Sequence, residues 1–313
     1  VRIIQPCGPS HRDDGGPFYI KKFLNLMPGV QCDRKTMLEP EAEWGEYDGV
    51  IYVDWAQDYF RKLPPFVPNP RKPSVCWQSD THVNEAGKRY RFEQAMTFRT
   101  SAWYMRDAYR LWASRVPANV PSFWLPTAAD HTVYTPPLKN YDVNLDHLSA
   151  TPSELTPYIC DIIPRYDICF VGHTGDAGRD AVLDRLFAAF PSFAFRTQCF
   201  FRKAARVYHQ SKIVFNWAIR HEINMRTFEA LASRSFLLTD RQDGMDELGL
   251  KDGVHAALYD SIEEAIEKAR WYLDPSRDAL RRQIAHQGWE WCLSGHTYAH
   301  RARRLLEAMK EGS

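Results

Sequence analysis

The sequence predicts an α/β protein of two doubly wound, Rossmann-like domains facing a cleft, and three observations carry that prediction. Short apolar runs alternate with amphipathic stretches along the chain. The alternation breaks once, in a Pro-rich polar stretch at 135–165, and then restarts with the same rhythm. A strand, a crossover helix and a second strand form the unit of a parallel sheet, so two such series imply two sheets covered by helices. At 313 residues, with 44% hydrophobic and 25% charged side chains, the chain is long for one core and comfortable for two.

The elements follow in order. "VRIIQP" is an apolar strand, and "GPSHRDDGGPFYIKKFLNLM" is a Gly-containing loop running into helical spacing at Tyr19, Phe23 and Leu26. "YDGVIYVDW" and "KPSVCWQSD" are two buried strands, each ending in acidic or polar residues. "SAWYMRDAYRLWASR" has helical spacing, and "VPSFWLPTAAD" is a strand leaving through a Pro-containing loop. After the break, "YDICFVGHTGDAGRDAVLDRLFAAFP" is a strand, a loop with three glycines and a helix. "SKIVFNWAI" is a strand, "NMRTFEALASR" a helix and "SFLLTD" a strand. Helices over "SIEEAIEKARWYL", residues 277–288 and "HTYAHRARRLLEAMK" complete the chain. The expected division is a first domain over 1–150, a second over 151–295, and a final helix over 296–313 that crosses back to the first.

Composition narrows the function. With 40 basic and 39 acidic side chains the net charge is +1, so no overall field draws the chain to nucleic acid or an anionic membrane. The seven cysteines are scattered without a CxxC pair, which points to a reducing cytoplasm rather than a disulfide framework or a zinc knuckle. No run approaches the roughly 18 apolar residues of a membrane span, and no signal-peptide pattern opens the sequence. No D-x-D or HExxH occurs, so no metal site is expected. The glycines of "GHTGDAG" are not spaced as in the dinucleotide fingerprint, which counts against an NAD enzyme.

The most informative stretch is "HEINMRTFEALASRSFLLTD", residues 221–240, where polar and charged groups precede a wholly apolar run. In open α/β sheets, ligands bind beyond the carboxyl ends of the strands, where helix N-termini converge. Asn224 is a natural N-cap for the helix that follows, which puts Arg226 and Glu229 in its first two turns. Free amides, the positive helix end and an arginine together suit a phosphate, and a carboxylate suits a ribose diol. The plain alternative is an exposed i,i+3 ion pair worth a few tenths of a kcal/mol.

The segment "SKIVFNWAIRHEINMRTFEALASRSFLLTDRQDGMDEL" resembles the C-terminal signature of GT-B glycosyltransferases, and most nearly the CgeB-like group, named after a spore-maturation protein. "YDICFVGHTGDAGRD", "VPSFWLPTAADHTVYTP" and "HQGWEWCLSGHTYAHRARRLL" are similar to further segments of that family in the same order, so the resemblance covers roughly 120–310. In the first 120 residues "CWQSDTH" is the best local echo. The resemblance implies a second domain that binds a nucleoside-diphosphate sugar, with Glu229 on the ribose and Arg226 and Asn224 near the diphosphate. It places Gly244 and Glu247 by the sugar or phosphates, and brings the loop of Gly172 and His173 to the nucleotide from the neighbouring strand. One departure stands out. Many retaining members carry two glutamates separated by seven residues, whereas Glu222 and Glu229 are separated by six and the expected position holds His221.

Further candidates lie in the first domain. Gly15 and Gly16, after Asp13 and Asp14, would let the backbone approach donor phosphate or acceptor; otherwise they make a plain turn at positive φ. Asp80 and His82 in "SDTH" end a strand, where either could take the acceptor hydroxyl proton in an inverting reaction. Asp80 could equally cap the next helix. Asp54 and Asp58, with Trp55, suit either an acceptor's hydroxyls or a surface loop. His296 and Tyr298 are expected to pack the last helix, and Arg301, Arg303 and Arg304 to lie on its solvated face. The expected function is transfer of a hexose or pentose from a nucleoside-diphosphate sugar to a hydroxyl, with no metal and no other cofactor. The acceptor is open among polysaccharide, protein, small molecule and modified DNA base. A catalytically silent nucleotide-sugar-binding or assembly protein is the alternative, and an epimerase or phosphorylase of the same fold the third.

Overall fold

A computed structural model of the chain describes residues 1–7, 15–36, 47–54, 66–78, 85–115, 121–139, 152–219 and 222–311. It forms two units, Val1–Thr127 with Tyr298–Ser313, and Ala128–Thr297. The first unit contains β1 (Arg2–Cys7), α1 (Gly16–Asn25), β2 (Gln31–Thr36), β3 (Gly49–Val53), β4 (Ser74–Gln78), α2 (Glu85–Met96), β5 (Thr100–Trp103), α3 (Arg106–Arg115) and β6 (Ser122–Trp124). Its six strands are all parallel, in the order β2-β1-β3-β4-β5-β6. Every residue of β3, β4 and β5 is buried, which is why these segments read as continuous apolar runs rather than alternating ones.

The second unit contains α4 (Pro152–Leu155), β7 (Tyr166–Val171), α5 (Ala177–Ala189), β8 (Phe193–Arg196), α6 (Arg202–His209), β9 (Ser211–Asn216), α7 (Met225–Ala232), β10 (Leu237–Asp240), β11 (Ala257–Tyr259), α8 (Ile262–Leu273) and α9 (Asp278–Gly295). Its five strands are also parallel, in the order β11-β10-β9-β7-β8. Phe170, Ile213, Phe215 and Leu238 from the sheet pack with Leu186, Tyr272 and Ile284 from the helices. The last helix, α10 (Tyr298–Glu311), is grouped with the first unit, where Tyr298 stacks on Tyr19 with centroids 4.6 Å apart.

Several local expectations change. The helix expected over 101–115 is split, because Thr100–Trp103 pairs in register with β4 and is wholly buried. Burial between neighbouring strands outweighs the helical spacing there. Arg301 is not on a solvated face: it is 5% exposed and its Nε donates to the carbonyl of Pro126 at 2.7 Å. Arg304 lies 4.5 Å over the Phe123 ring, while Arg303 is exposed. The Pro-rich stretch begins inside the second unit, where Tyr134 stacks on Tyr208 and Leu138 bridges to Ile159. Three strands, β2, β8 and β11, have no counterpart in the expected pattern. All lie at sheet edges, β2 is largely polar, and β8 and β11 are only four and three residues long.

Asp54 is not on a surface loop either. It accepts a hydrogen bond from Arg91 Nε at 2.7 Å, and both side chains are fully buried. Asp58, Trp55, Asp13 and Asp14 lie outside the described residues. Removing one partner of such a pair strands the other charge in the core, at about 3–5 kcal/mol. Asp54→Ala is therefore expected to lower the unfolding free energy by that much, seen as a lower urea midpoint, and a variant unfolding with the wild-type midpoint would contradict it.

Candidate functional site

In the second sheet the chain runs from β7 outward to β8 and then returns to β9 on the other side of β7. The carboxyl ends of β7 and β9 therefore flank the point where strand order reverses, the place where open parallel sheets bind ligands. Two helices begin there, α5 after β7 and α7 after β9. Asp176 caps α5 by accepting from the Arg179 amide, and Asn224 caps α7 by accepting from the Thr227 amide at 3.3 Å. Asn224 thus caps its helix as expected.

Arg226 turns from the first turn of α7 towards β7. Its guanidinium lies 4.5 Å from the centroid of the Phe170 ring, and its Nη1 donates to Asn216 Oδ1 at 2.6 Å. Gly172 makes this possible. A Cβ there would stand 2.3 Å from Arg226 Nη2 and 2.9 Å from the Phe170 ring, so any larger residue would displace the guanidinium. The glycine matters here for room rather than for backbone freedom.

A second arginine meets the same ring. Arg179, near the start of α5, lies 5.6 Å from the Phe170 centroid and is 8% exposed. Its Nη1 and Nη2 donate to the carbonyls of His173 and Trp217 at 3.0 and 3.3 Å. Its Nε is buried without a hydrogen-bond partner. Burial, and next the charge of Arg226, push its pKa down. Among the described residues neither arginine forms an ion pair with a carboxylate. Two cations against one aromatic ring, neither paired in contact with a carboxylate, suit an anionic ligand. Arg179 is the residue that sequence reasoning missed. Its signal was a cation in the first turn of a helix, where the dipole disfavours one.

Glu229 stands one turn beyond Arg226. It keeps some exposed area, while its carboxylate is enclosed by protein. Burial pushes its pKa up to about 7, against the opposing pull of Arg226 and of hydrogen bonds from the Tyr134 and Tyr208 hydroxyls. Tyr208 is in turn pushed well above the ordinary phenol value by burial and by Glu229. The exposed Arg226–Glu229 surface pair is therefore not what forms: each side chain has partners inside the fold.

The other sequence candidates are placed as follows. His173 is exposed and serves Arg179 through its backbone carbonyl, while Gly175 takes positive φ (97°) in the same loop. Gly244 also takes positive φ (89°), in the turn after β10, and Glu247 is exposed on that turn. Gly15 and Gly16 belong to the first unit and do not form a positive-φ turn. Gly15 caps α1 in an extended conformation (φ −130°), and a Cβ on Gly16 would make ordinary contact with Val53 at 3.5 Å. Asp80, His82 and His221 lie outside the described residues. Tyr298 is buried at the start of the last helix as expected, whereas His296 stacks on Trp291 of α9 at 3.9 Å and on Phe228 of α7 instead. Among the described residues no group of three or more His, Cys, Asp or Glu could hold a metal ion, and no helix is long and apolar enough to cross a membrane.

The Glu229 environment has a measurable consequence. A carboxyl whose pKa rises on folding holds its proton more tightly in the folded chain, so stability is lost as pH climbs from about 4.5 through about 7. Glu229→Gln removes that loss. Its melting temperature is expected to exceed the wild-type value at pH 8, with the gap closing towards pH 5; a gap independent of pH would count against the enclosed carboxylate.

Comparison with known proteins fits this geometry. Residues 177–307 match a family model described as glycosyl transferase-like. No curated protein sequence matches the chain. Among solved structures, sucrose-phosphate synthase from Thermosynechococcus elongatus superposes with a TM-score of 0.63 at 10% identity, covering 100% of both chains. Anabaena HepE, solved in complex with UDP and glucose, gives 0.62 at 11% identity over 99% of both chains. A glycosyltransferase from Rickettsia africae gives 0.61 at 11% identity, covering 99% of this chain and 98% of its own. The CgeB-like group is not singled out by these matches. The chain thus has the GT-B glycosyltransferase fold, two Rossmann-like α/β units, with a glycosyl transferase-like segment over residues 177–307 that runs from α5 into α10.

Proposed function

We propose that the chain is a glycosyltransferase that moves a hexose or pentose from a nucleoside-diphosphate sugar to a hydroxyl acceptor without a metal. The observation that carries this reading is the pair Arg179 and Arg226 over one ring, neither in an ion pair with a described carboxylate, and Glu229 one helical turn away. A diphosphate supplies the missing negative charge, and a ribose diol supplies two donors to the carboxylate. HepE, with the same fold, is solved with UDP and with UDP-glucose, which supports a nucleotide sugar as donor.

The chemistry follows from where charge develops. Breaking the bond between the anomeric carbon and the diphosphate builds negative charge on the leaving oxygen. Arg226 and Arg179, held in place before the reaction, stabilise that charge in the transition state and need no cation to do so. Gly172 keeps the approach open. Ionised, Glu229 accepts charge-assisted bonds from both ribose hydroxyls, so donor binding weakens as pH falls below about 7. Gly244 and Glu247 are assigned to the sugar end of the donor, and Gly15 and Gly16 to the approach of donor or acceptor. Asp80 or His82 is assigned the proton of the acceptor hydroxyl. The seven cysteines, none of them in a disulfide, support a reducing, cytoplasmic setting.

Titration with UDP-, GDP-, ADP- and TDP-sugars, followed by assay of transfer or slow donor hydrolysis, tests the reading. Arg226→Ala is expected to lower turnover about 100-fold. Glu229→Ala should weaken donor binding roughly 10- to 100-fold, the worth of hydrogen bonds to a charged group. Turnover unaffected by EDTA is expected. Donor binding with no transfer or hydrolysis by the wild type would instead favour the catalytically silent reading, for which the altered glutamate spacing at Glu222 speaks.

A further inference from the structure

Asn216, the last residue of β9, is completely buried, and every heteroatom of its side chain has a partner. Its Oδ1 accepts from Arg226 Nη1 at 2.6 Å and from Asn224 Nδ2 at 3.2 Å. Its Nδ2 points to the hydroxyls of Thr239 at 3.0 Å and Thr227 at 3.4 Å. Its backbone carbonyl accepts from the Tyr259 hydroxyl at 2.7 Å. Residues from α7, β10 and β11 thus fix the amide in one orientation, with its oxygen towards the guanidinium.

A buried arginine is most often anchored by a carboxylate, which binds it more strongly than an amide does. Here the anchor is neutral. We infer that Asn216 is a positioning residue that fixes Arg226 without cancelling its charge, leaving the full cation for the donor's diphosphate. This rests on the donor reading above and adds to it the reason an amide stands at this position. A carboxylate in its place would hold the guanidinium as well or better, yet would oppose an incoming phosphate from just behind it. The neighbouring charged and titratable groups are consistent with that division. Arg179 shares the Phe170 ring, Glu229 feels Arg226 at a distance while accepting from the Tyr134 and Tyr208 hydroxyls, Asp240 accepts from the Ala218 amide and the Gln242 side chain, and Tyr259 faces the Asn216 carbonyl.

The Asn216→Asp variant separates geometry from charge. It keeps the acceptor facing Arg226, and both threonine hydroxyls can rotate to donate to the new oxygen. Affinity for whichever of UDP, GDP, ADP and TDP binds best is measured by calorimetry beside the matching nucleoside, at low and high salt, with thermal melting as the folding control. Asn216→Asp is expected to bind the diphosphate at least tenfold more weakly, with unchanged nucleoside affinity and a flatter salt dependence. Asn216→Ser, neutral but too short to reach Arg226, is expected to lose several-fold while keeping the wild-type salt dependence. It carries the test should the aspartate variant not fold. Diphosphate affinity at the wild-type level in a folded Asn216→Asp or Asn216→Ser protein overturns the inference. A wild type that binds none of the four diphosphates instead overturns the donor reading on which it stands.

Discussion

The second unit is organised around one unusual constraint, two arginines held against a single phenylalanine ring with no acid between them. Like charges brought together in a partly dry environment repel, and burial adds a desolvation cost to each. Arg179 registers both effects in its lowered pKa. The arrangement holds because neutral groups carry the guanidiniums: carbonyls of His173 and Trp217 for one, the Asn216 amide for the other, and the ring face for both. Every direct contact is worth less than an ion pair, so neither guanidinium is tied up by a carboxylate in contact with it. A fold selected for stability alone would have put a carboxylate here.

The same logic explains the residues around the pair. Gly172 is small because the guanidinium of Arg226 occupies the space a side chain would fill. Phe170 belongs to the core through its contacts with Phe195 and Phe215, so the surface that receives the cations is rigid. Asn216 ties the end of β9 to β10 and α7 through one amide. Glu229 has the complementary problem, a carboxylate kept from water and stabilised only partly by Arg226 and two tyrosines. Cation and anion sit one helical turn apart, each strained electrostatically and each suited to a different part of one ligand. Strain of this kind concentrates at sites that bind or react.

Much of this was legible because it is local. Strand–loop–helix order, the cap at Asn224 and the first-turn positions of Arg226 and Glu229 depend on residues within about ten of one another. The buried parallel strands announced themselves as apolar runs, since both faces are covered. Where burial ran against local pattern, reading failed. Thr100–Trp103 has helical spacing and is a strand because β4 pairs with it. Asp54 and Arg301 look like surface charges, and they are buried because Arg91 and the Pro126 carbonyl, 37 and 175 residues away, are waiting for them.

The sequence by itself determined that this is a two-part α/β chain, and it pointed to residues 221–240 as the candidate site. Which groups meet there was decided only by the tertiary structure. Arg179 and Arg226 are 47 residues apart, and no periodicity relates them; they converge because β7 and β9 are neighbours across the reversal of strand order. Tyr134 reaches Glu229 from a segment that reads as the close of the first domain. Charge type and helix start are written in short-range pattern, whereas desolvation and the partner at the far end of a hydrogen bond exist only once the sheet has closed.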